Sequence, residues 1–462
     1  MIPRLSPNSI YSISFITALF VANISGPQYI YPTFGTSLNE RFGWSAFENS
    51  IVSTACFIGV SFSGPLCSWM IENLGITKTL RVSACLAFSG LFLLAQTYAG
   101  RLPGTSGLCA FYLICTGIAG ASAYLCALQS QSQNFKQRRG LSMGLTTASV
   151  GMCGFVFSQI NDGWFGPEKF NNGDSTYHFL LFLAIVMSFG FLMGSFILGP
   201  IRRKTVIYQQ VGDDEEGYAM RDRHDPEEEE EEEEDGEVSI SGMKFLTHPI
   251  GSALFCTMFV VLGTGYVYLA NIGQILLALT KSSDQHVRNV HTTLFSLGNC
   301  FSRAFFGALS DILKNRFNVH RLWVFLYAVV AVVLTLGYLV TGVKDADDLF
   351  VCTLVISMTY GIGFGVAPAV TTEFGSKLFT RNWGWLLFAP AFGSQLLNFL
   401  FGSVYGHETA RQGGDHLCEG AICFRETFRV AIVSGVISIF AICLAIYKTG
   451  IYRQNPVDNK LN

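Results

Sequence analysis

Charge is what this sequence has least of. Only 14% of its 462 residues are Asp, Glu, Lys or Arg, against about a quarter in an ordinary soluble chain. The shortage is deeper than the total implies, because about half of the 33 acidic residues crowd between Asp213 and Glu237. Outside that segment carboxylates are rare, and Glu48, Glu72, Asp162 and Glu373 all fall near the ends of apolar stretches. No carboxylate is therefore placed to carry a proton midway across a membrane. The chain also lacks CxxC pairs and metal-ligand spacings, so neither a metal nor another cofactor is expected. It has no basic, aromatic-interleaved surface, which argues against nucleic acid as a partner. Its eight histidines fall mainly in loops, so the clustered groups that an intramembrane enzyme needs are missing and no catalytic residue is assigned. No cleavable signal peptide is expected either, since only about eight residues precede the first apolar run.

What the chain does have is length in its apolar runs. Half of its residues are hydrophobic. Runs of roughly 20 residues recur throughout, each able to cross a hydrocarbon core of about 30 Å. Twelve such runs are expected as helices, at 9–33, 46–71, 79–99, 106–129, 140–161, 177–199, 245–275, 287–309, 320–341, 348–371, 381–405 and 426–448. They are too long, and alternate too little, for barrel strands. The expected fold is an all-α membrane protein of twelve transmembrane helices in two pseudo-symmetric six-helix bundles. Residues 1–199 form the first bundle and 245–450 the second, with a tail at 451–462. Between the bundles, 200–244 is a polar connector whose run of glutamates cannot bury a core and is expected to be disordered. Placing both termini and the connector in the cytosol puts 20 of the 30 Lys and Arg residues on that side and 9 on the other, with Arg303 within a span. The bias of basic residues toward the cytosol favours this orientation.

The two halves echo each other. "GPLCSWMIENLG" (Gly64–Gly75) follows the second run, and "RAFFGALSDILK" (Arg303–Lys314) follows the eighth. Glu72 and Asp311 then each end the second helix of a half. Parallel six-helix repeats of this kind mark one large transporter class, and "GALSD" resembles the loop signature of the major facilitator superfamily. More narrowly, the chain resembles the fungal monocarboxylate-transporter homologues, a vacuolar transporter of yeasts among them, and the plant nodulin-like proteins. The residues that carry this are Asn299 with Arg303, "TYGIGFGVAPAVTTEFGSKLF" (Thr359–Phe379), "NWG" (Asn382–Gly384) and "CEGAICFRETF" (Cys418–Phe428). The resemblance implies a vacuolar membrane and does not imply a substrate.

Arg303 is the residue on which a functional reading turns. It lies eight positions from Asp311, about 12 Å deeper along a helix and near mid-membrane. Thr292, Ser296, Asn299, Arg303, Gly307 and Ser310 form one polar or small stripe on an otherwise apolar helix. Arg303 either snorkels or holds a backbone carbonyl, or its planar fork binds an anionic group of a solute. In animal monocarboxylate carriers the position of Asn299 resembles an Asp linked to proton coupling. The neutral Asn299 favours facilitated transport, exchange, or a proton carried on the solute. Asn23 and Tyr29, Asn271 and Gln274, and Gln395 and Asn398 are further substrate-binding candidates, each also readable as interhelical hydrogen bonding. Candidate gate residues are Asp311, Glu72, Lys78, Arg138 and Arg139, with Asp311 docking on the helix start after Arg139, and the pair Glu373 and Lys377. "GIGFGVAP" (Gly361–Pro368) is a hinge or a packing face. Cys418 and Cys423 share a polar loop and could form a disulfide in an oxidising lumen.

Together these features describe a solute carrier working by alternating access. It is expected to move a small, monocarboxylate-like organic anion, to be monomeric, and to have the solute and the bilayer as its partners. The alternative is a non-transporting membrane sensor or receptor on the same fold.

Overall fold

The computed structural model describes residues 7–44, 46–165, 175–201, 240–281, 285–375, 378–413 and 418–451. Among them every regular element is helical. Lipid offers no hydrogen bonds to a backbone, so apolar runs fold as helices that satisfy their own amides. Before the connector come α1 (Pro7–Asn23), α2 (Ala46–Phe62), α3 (Gly64–Tyr98), α4 (Ser106–Asn134), α5 (Arg139–Gly151), α6 (Cys153–Trp164) and α7 (Ser175–Ile197). After it come α8 (Pro249–Ala270), α9 (Ile272–Thr280), α10 (Gln285–Phe317), α11 (Leu322–Thr341), α12 (Leu349–Thr371), α13 (Phe379–Leu386), α14 (Phe388–Arg411) and α15 (Ile422–Thr449).

Nine helical stretches among the described residues are long and apolar enough to cross a membrane, counting α5 with α6 and α13 with α14. The helix α10 is outside that set despite its 33 residues, because His291, Asn299 and Arg303 interrupt its apolar faces. The other differences from the expected spans lie at joints. Gly26 and Pro27 stop α1 at Asn23, short of the expected residue 33. The expected second and third spans meet within α3 at Gly75, whose φ of 76° and ψ of 165° only a glycine adopts readily. Asn271 separates α8 from α9 with φ −108° and ψ 11°. The connector proposed at 200–244 and the tail at 451–462 fall mostly on 202–239 and 452–462, outside the described residues. The described end of the connector is tied down, since Asn382 Nδ2 donates to Ile240 O at 2.8 Å and Gly242 N donates to Asn382 Oδ1 at 2.9 Å.

Helices of each half pack mainly on one another: α3 on α4 and α7, α10 on α12, and α8 on α14 and α15. Among the crossings that join the halves are α5 on α10 and α3 on α13. Both rely on glycine to bring backbones together. A Cβ on Gly307 would lie 2.5 Å from Gly140 O, and one on Gly384 would lie 2.6 Å from Gly64 O. The stretch Gly140–Gly154 is thus a packing face. So is "GIGFGVAP": α12 runs unbroken through it, and Cβ atoms on Gly361 and Gly365 would each lie 2.6 Å from the carbonyls of Asn299 and Arg303.

These crossings set an expectation for stability. Gly307→Val should destabilise the solubilised protein by about 1–3 kcal/mol through overpacking. Gly337→Ala, where a Cβ meets nothing within 4 Å, should be neutral or stabilising by up to about 1 kcal/mol. Apparent Tm values of the two variants and the parent check the order.

Candidate functional site

A cavity of about 60 Å³ lies where the halves meet, lined from the first half by Gln28, Tyr29, Phe57 and Tyr124 and from the second by Tyr266, Arg303, Tyr360 and Phe364, among others. Arg303 is 2% exposed. Its Nε donates to Asn299 Oδ1 at 2.9 Å and its Nη1 to Thr147 O, across the halves, at 2.8 Å. The guanidinium carbon stands 4.6 Å from the centre of the Phe364 ring. Nη2 is buried without a hydrogen-bond partner, as are Tyr124 Oη and Gln28 Oε1 in the same wall. Among the described residues both hydrogen bonds of Arg303 go to neutral oxygens, and beyond the face of the Phe364 ring no carboxylate meets its charge. Such a charge out of water costs several kcal/mol unless something negative meets it.

The cavity takes in two of the eight proposed solute ligands, Arg303 and Tyr29. Asn299 holds Arg303 from behind. Asn23 donates to Ser149 O at 2.9 Å, and Asn271 Nδ2 donates to both Val267 O at 2.9 Å and Asn398 Oδ1 at 2.8 Å. These three amides act as links between helices. Gln274 is exposed and Gln395 half-buried, and neither lines the cavity. Sequence reasoning passed over Tyr124, Tyr266 and Tyr360. Their only local signal is a tyrosine placed mid-helix among small residues. It also passed over His291, which is fully buried within α10.

Two charged clusters, here called locks, tie the halves together at the end of the molecule that bears the connector. In the first, the Asp311 carboxylate accepts the backbone N–H groups of Gly140 at 2.9 Å and Leu141 at 2.8 Å, the start of α5. A carboxylate there also meets the positive end of the helix dipole. Arg321 Nη2 donates to Asp311 Oδ1 at 2.6 Å, and Arg321 Nη1 pairs with Glu373. Glu373 also receives Lys314 Nζ at 2.8 Å and lies 3.2 Å from His320 Nε2. Arg139 reaches Thr372 O at 3.5 Å from the other half. In the second lock Arg381 forks onto Glu72, with Nε at 2.9 Å from Oε1 and Nη2 also paired, while Ser68 Oγ donates to Thr380 O at 2.5 Å. Lys78 and Arg138 are exposed. Lys377, offered as the partner of Glu373, lies outside the described residues.

Toward the opposite end, Phe57 stacks on Tyr266 across the halves with ring centres 4.8 Å apart. Also at that end, Cys418 and Cys423 are disulfide-bonded, and Gly420 N donates to Ala278 O at 2.7 Å.

A family model, that of the Major Facilitator Superfamily, matches residues 11–394. The chain belongs to that superfamily. Its members are transporters and not enzymes, and the protein is a multi-pass membrane solute transporter. It is 23% identical to "Probable transporter mch1" of Neurospora crassa, over 90% of this chain and 86% of that protein. It is 19% identical to "Probable transporter MCH1" of Saccharomyces cerevisiae, over 96% and 94% of the two chains. Among solved structures it superposes on the proton:xylose symporter XylE bound to 6-bromo-6-deoxy-D-glucose, with a TM-score of 0.67, 14% identity and 95% of each chain covered. At that identity the likeness concerns the fold alone.

The locks differ in burial, and this yields a test. The side chains of Arg321 and Asp311 are 5% and 8% exposed, against 44% and 22% for Arg381 and Glu72. Asp311→Asn should therefore cost on the order of 3 kcal/mol, since it leaves a buried charge short of a partner. Glu72→Gln should cost under about 1 kcal/mol. Equal losses of stability for the two variants would contradict this assignment.

Proposed function

We propose that the protein carries a small organic anion, monocarboxylate-like, through the cavity at Arg303 by alternating access. Twelve spans in two six-helix bundles supply the moving parts: α1 with the short helix Pro27–Ile30, α2 with the first arm of α3, the second arm of α3, and so on to α15. In this reading the bundles rock about the cavity, and the monomer is the working unit. The locks at Asp311 and Glu72 close the cytosolic side, and the stack of Phe57 on Tyr266 narrows the path to the other.

The observation that carries the reading is that Arg303, cationic and buried, lines the cavity while its Nη2 has no hydrogen-bond partner. A planar guanidinium with a free edge suits a carboxylate. The size agrees. A water needs about 10–15 Å³ of such space, so a cavity of about 60 Å³ admits a solute of a few heavy atoms. The names of the fungal relatives support transport as such. Cytosolic termini fit the basic-residue bias, the vacuolar membrane is what the family resemblance implies, and the disulfide Cys418–Cys423 suits an oxidising lumen on the far side.

The test is uptake of a panel of small carboxylates and of neutral solutes of similar size into proteoliposomes. Arg303→Ala and Arg303→Lys should each lower uptake of the carried anion at least about tenfold, a loss of roughly 1.4 kcal/mol in transition-state stabilisation. The lysine fails because a point charge does not reproduce the fork. Uptake confined to neutral solutes, or anion uptake unchanged in both variants, would overturn the proposal.

A further inference from the structure

Gln28 and Tyr124 line the Arg303 cavity, and Oε1 of the one and Oη of the other are buried without a hydrogen-bond partner. The backbone brings the two together. Gly26 and Pro27 stop α1, and Gln28 follows on the short helix Pro27–Ile30. Gly120 of α4 closes on that break, since a Cβ there would lie 2.7 Å from Ser25 O and 2.8 Å from Pro27 Cδ. Tyr124 stands one turn further along the same face of α4, so its phenol and the Gln28 amide belong to one wall. The charge of Arg303 reaches the Tyr124 hydroxyl. Other polar groups of the lining are already engaged. The hydroxyls of Tyr29 and Tyr360 face each other across the halves, and those of Ser25 and Ser394 donate to the carbonyls of Val21 and Ala391.

We infer that Gln28 and Tyr124 make the cavity selective for a carboxylate that also bears a hydroxyl group, over the same carboxylate with a carbonyl or only hydrogens in its place. The inference rests on the anion reading: Arg303 takes the carboxylate, and the amide and phenol read the rest of the solute. The amide oxygen only accepts, whereas the phenol both donates and accepts. A solute hydroxyl answers the two at once, donating to Gln28 Oε1 and accepting from the Tyr124 O–H. A carbonyl only accepts, so it leaves the amide oxygen unmet, and an alkyl group leaves both unmet. A buried polar group left unmet costs more than a neutral hydrogen bond gains. A site built to bond a hydroxyl therefore rejects the analogue that lacks it.

Charge sets the hydroxyl apart from the other common donor. An ammonium group would also answer Gln28 Oε1, and tyrosine faces suit a cation. Among the described residues no acid lines the cavity. The ammonium would then stand as a second positive charge near Arg303, in surroundings that screen poorly. A hydroxyl brings no charge and adds a single heavy atom, within what a cavity of about 60 Å³ admits.

The test compares carboxylates of one three-carbon skeleton: lactate with a hydroxyl, pyruvate with a carbonyl and propionate with neither. Uptake of each into proteoliposomes is measured for the full chain, Gln28→Leu and Tyr124→Phe, with free alanine as the ammonium analogue. The parent should carry lactate at least about tenfold better, as kcat/KM, than pyruvate, propionate or alanine. Each substitution should lower the ratio of lactate to propionate uptake at least about threefold. The ratio is read within one preparation, so a loss of folded protein does not move it. Equal uptake of the three carboxylates, ratios unmoved in both variants, or alanine carried as well as lactate overturns the inference. Equal uptake that disappears in Arg303→Ala sinks this inference and leaves the anion reading standing. Uptake of none of the three carboxylates sinks both.

Discussion

A guanidinium held out of water at the seam between two helical halves is the constraint on which this structure depends. Arg303 has to be met by polar atoms, and they arrive by backbone approach. Gly144 lets α5 close on α10, since a Cβ there would lie 2.7 Å from Arg303 O. That closeness brings Thr147 O, less than a turn further along α5, to 2.8 Å from Arg303 Nη1. Gly365 does the same for α12, and its neighbour Phe364 lies over the guanidinium. Glycines that look like packing features are therefore also what solvates the charge. The junction of the halves and the candidate site are one construction, so movement at either is felt at the other.

The two locks at the connector end are unequal in physical character. Asp311 satisfies two backbone amides of the opposite half and a buried arginine. Its removal strands groups that water cannot easily reach. Glu72 and Arg381 lie in a wetter place, where an ion pair is worth little. Arg381 also reaches Ser241 Oγ at 3.4 Å, beside the Asn382 clamp on the connector. The weak lock thus shares its arginine with the end of the acidic segment, while the strong lock is built wholly from helix ends.

Much of this was legible in the sequence where periodicity or a single misplaced charge carries the signal. Lipid leaves a long apolar run few alternatives to a helix, and a stripe at helical spacing placed Asn299, Arg303 and Gly307 on one face of α10. What stayed hidden depends on partners distant in sequence. Arg321 and Arg381 look like ordinary loop cations until Asp311 and Glu72 are seen beside them. Asn271 and Asn398 looked like solute ligands, yet they bond to each other across 127 residues, which no local pattern reveals. Tyr124, Tyr266 and Tyr360 are amphipathic, and an apolar helix accommodates a tyrosine whether or not its hydroxyl faces a cavity. The helix joints were missed for another reason: a break at Gly75 or Asn271 is set by local dihedral angles that hydropathy does not report.

Asn299 brings these strands together. A carboxylate one turn from Arg303 would take the guanidinium as its ion-pair partner and neutralise the seam. The amide oxygen takes a single N–H and orients the fork, and it leaves the charge in place. The positive potential of the cavity is then available to an anion, at the cost of a group that could have titrated beside it. An apolar, aromatic wall and the Thr147 carbonyl hold the guanidinium in its place.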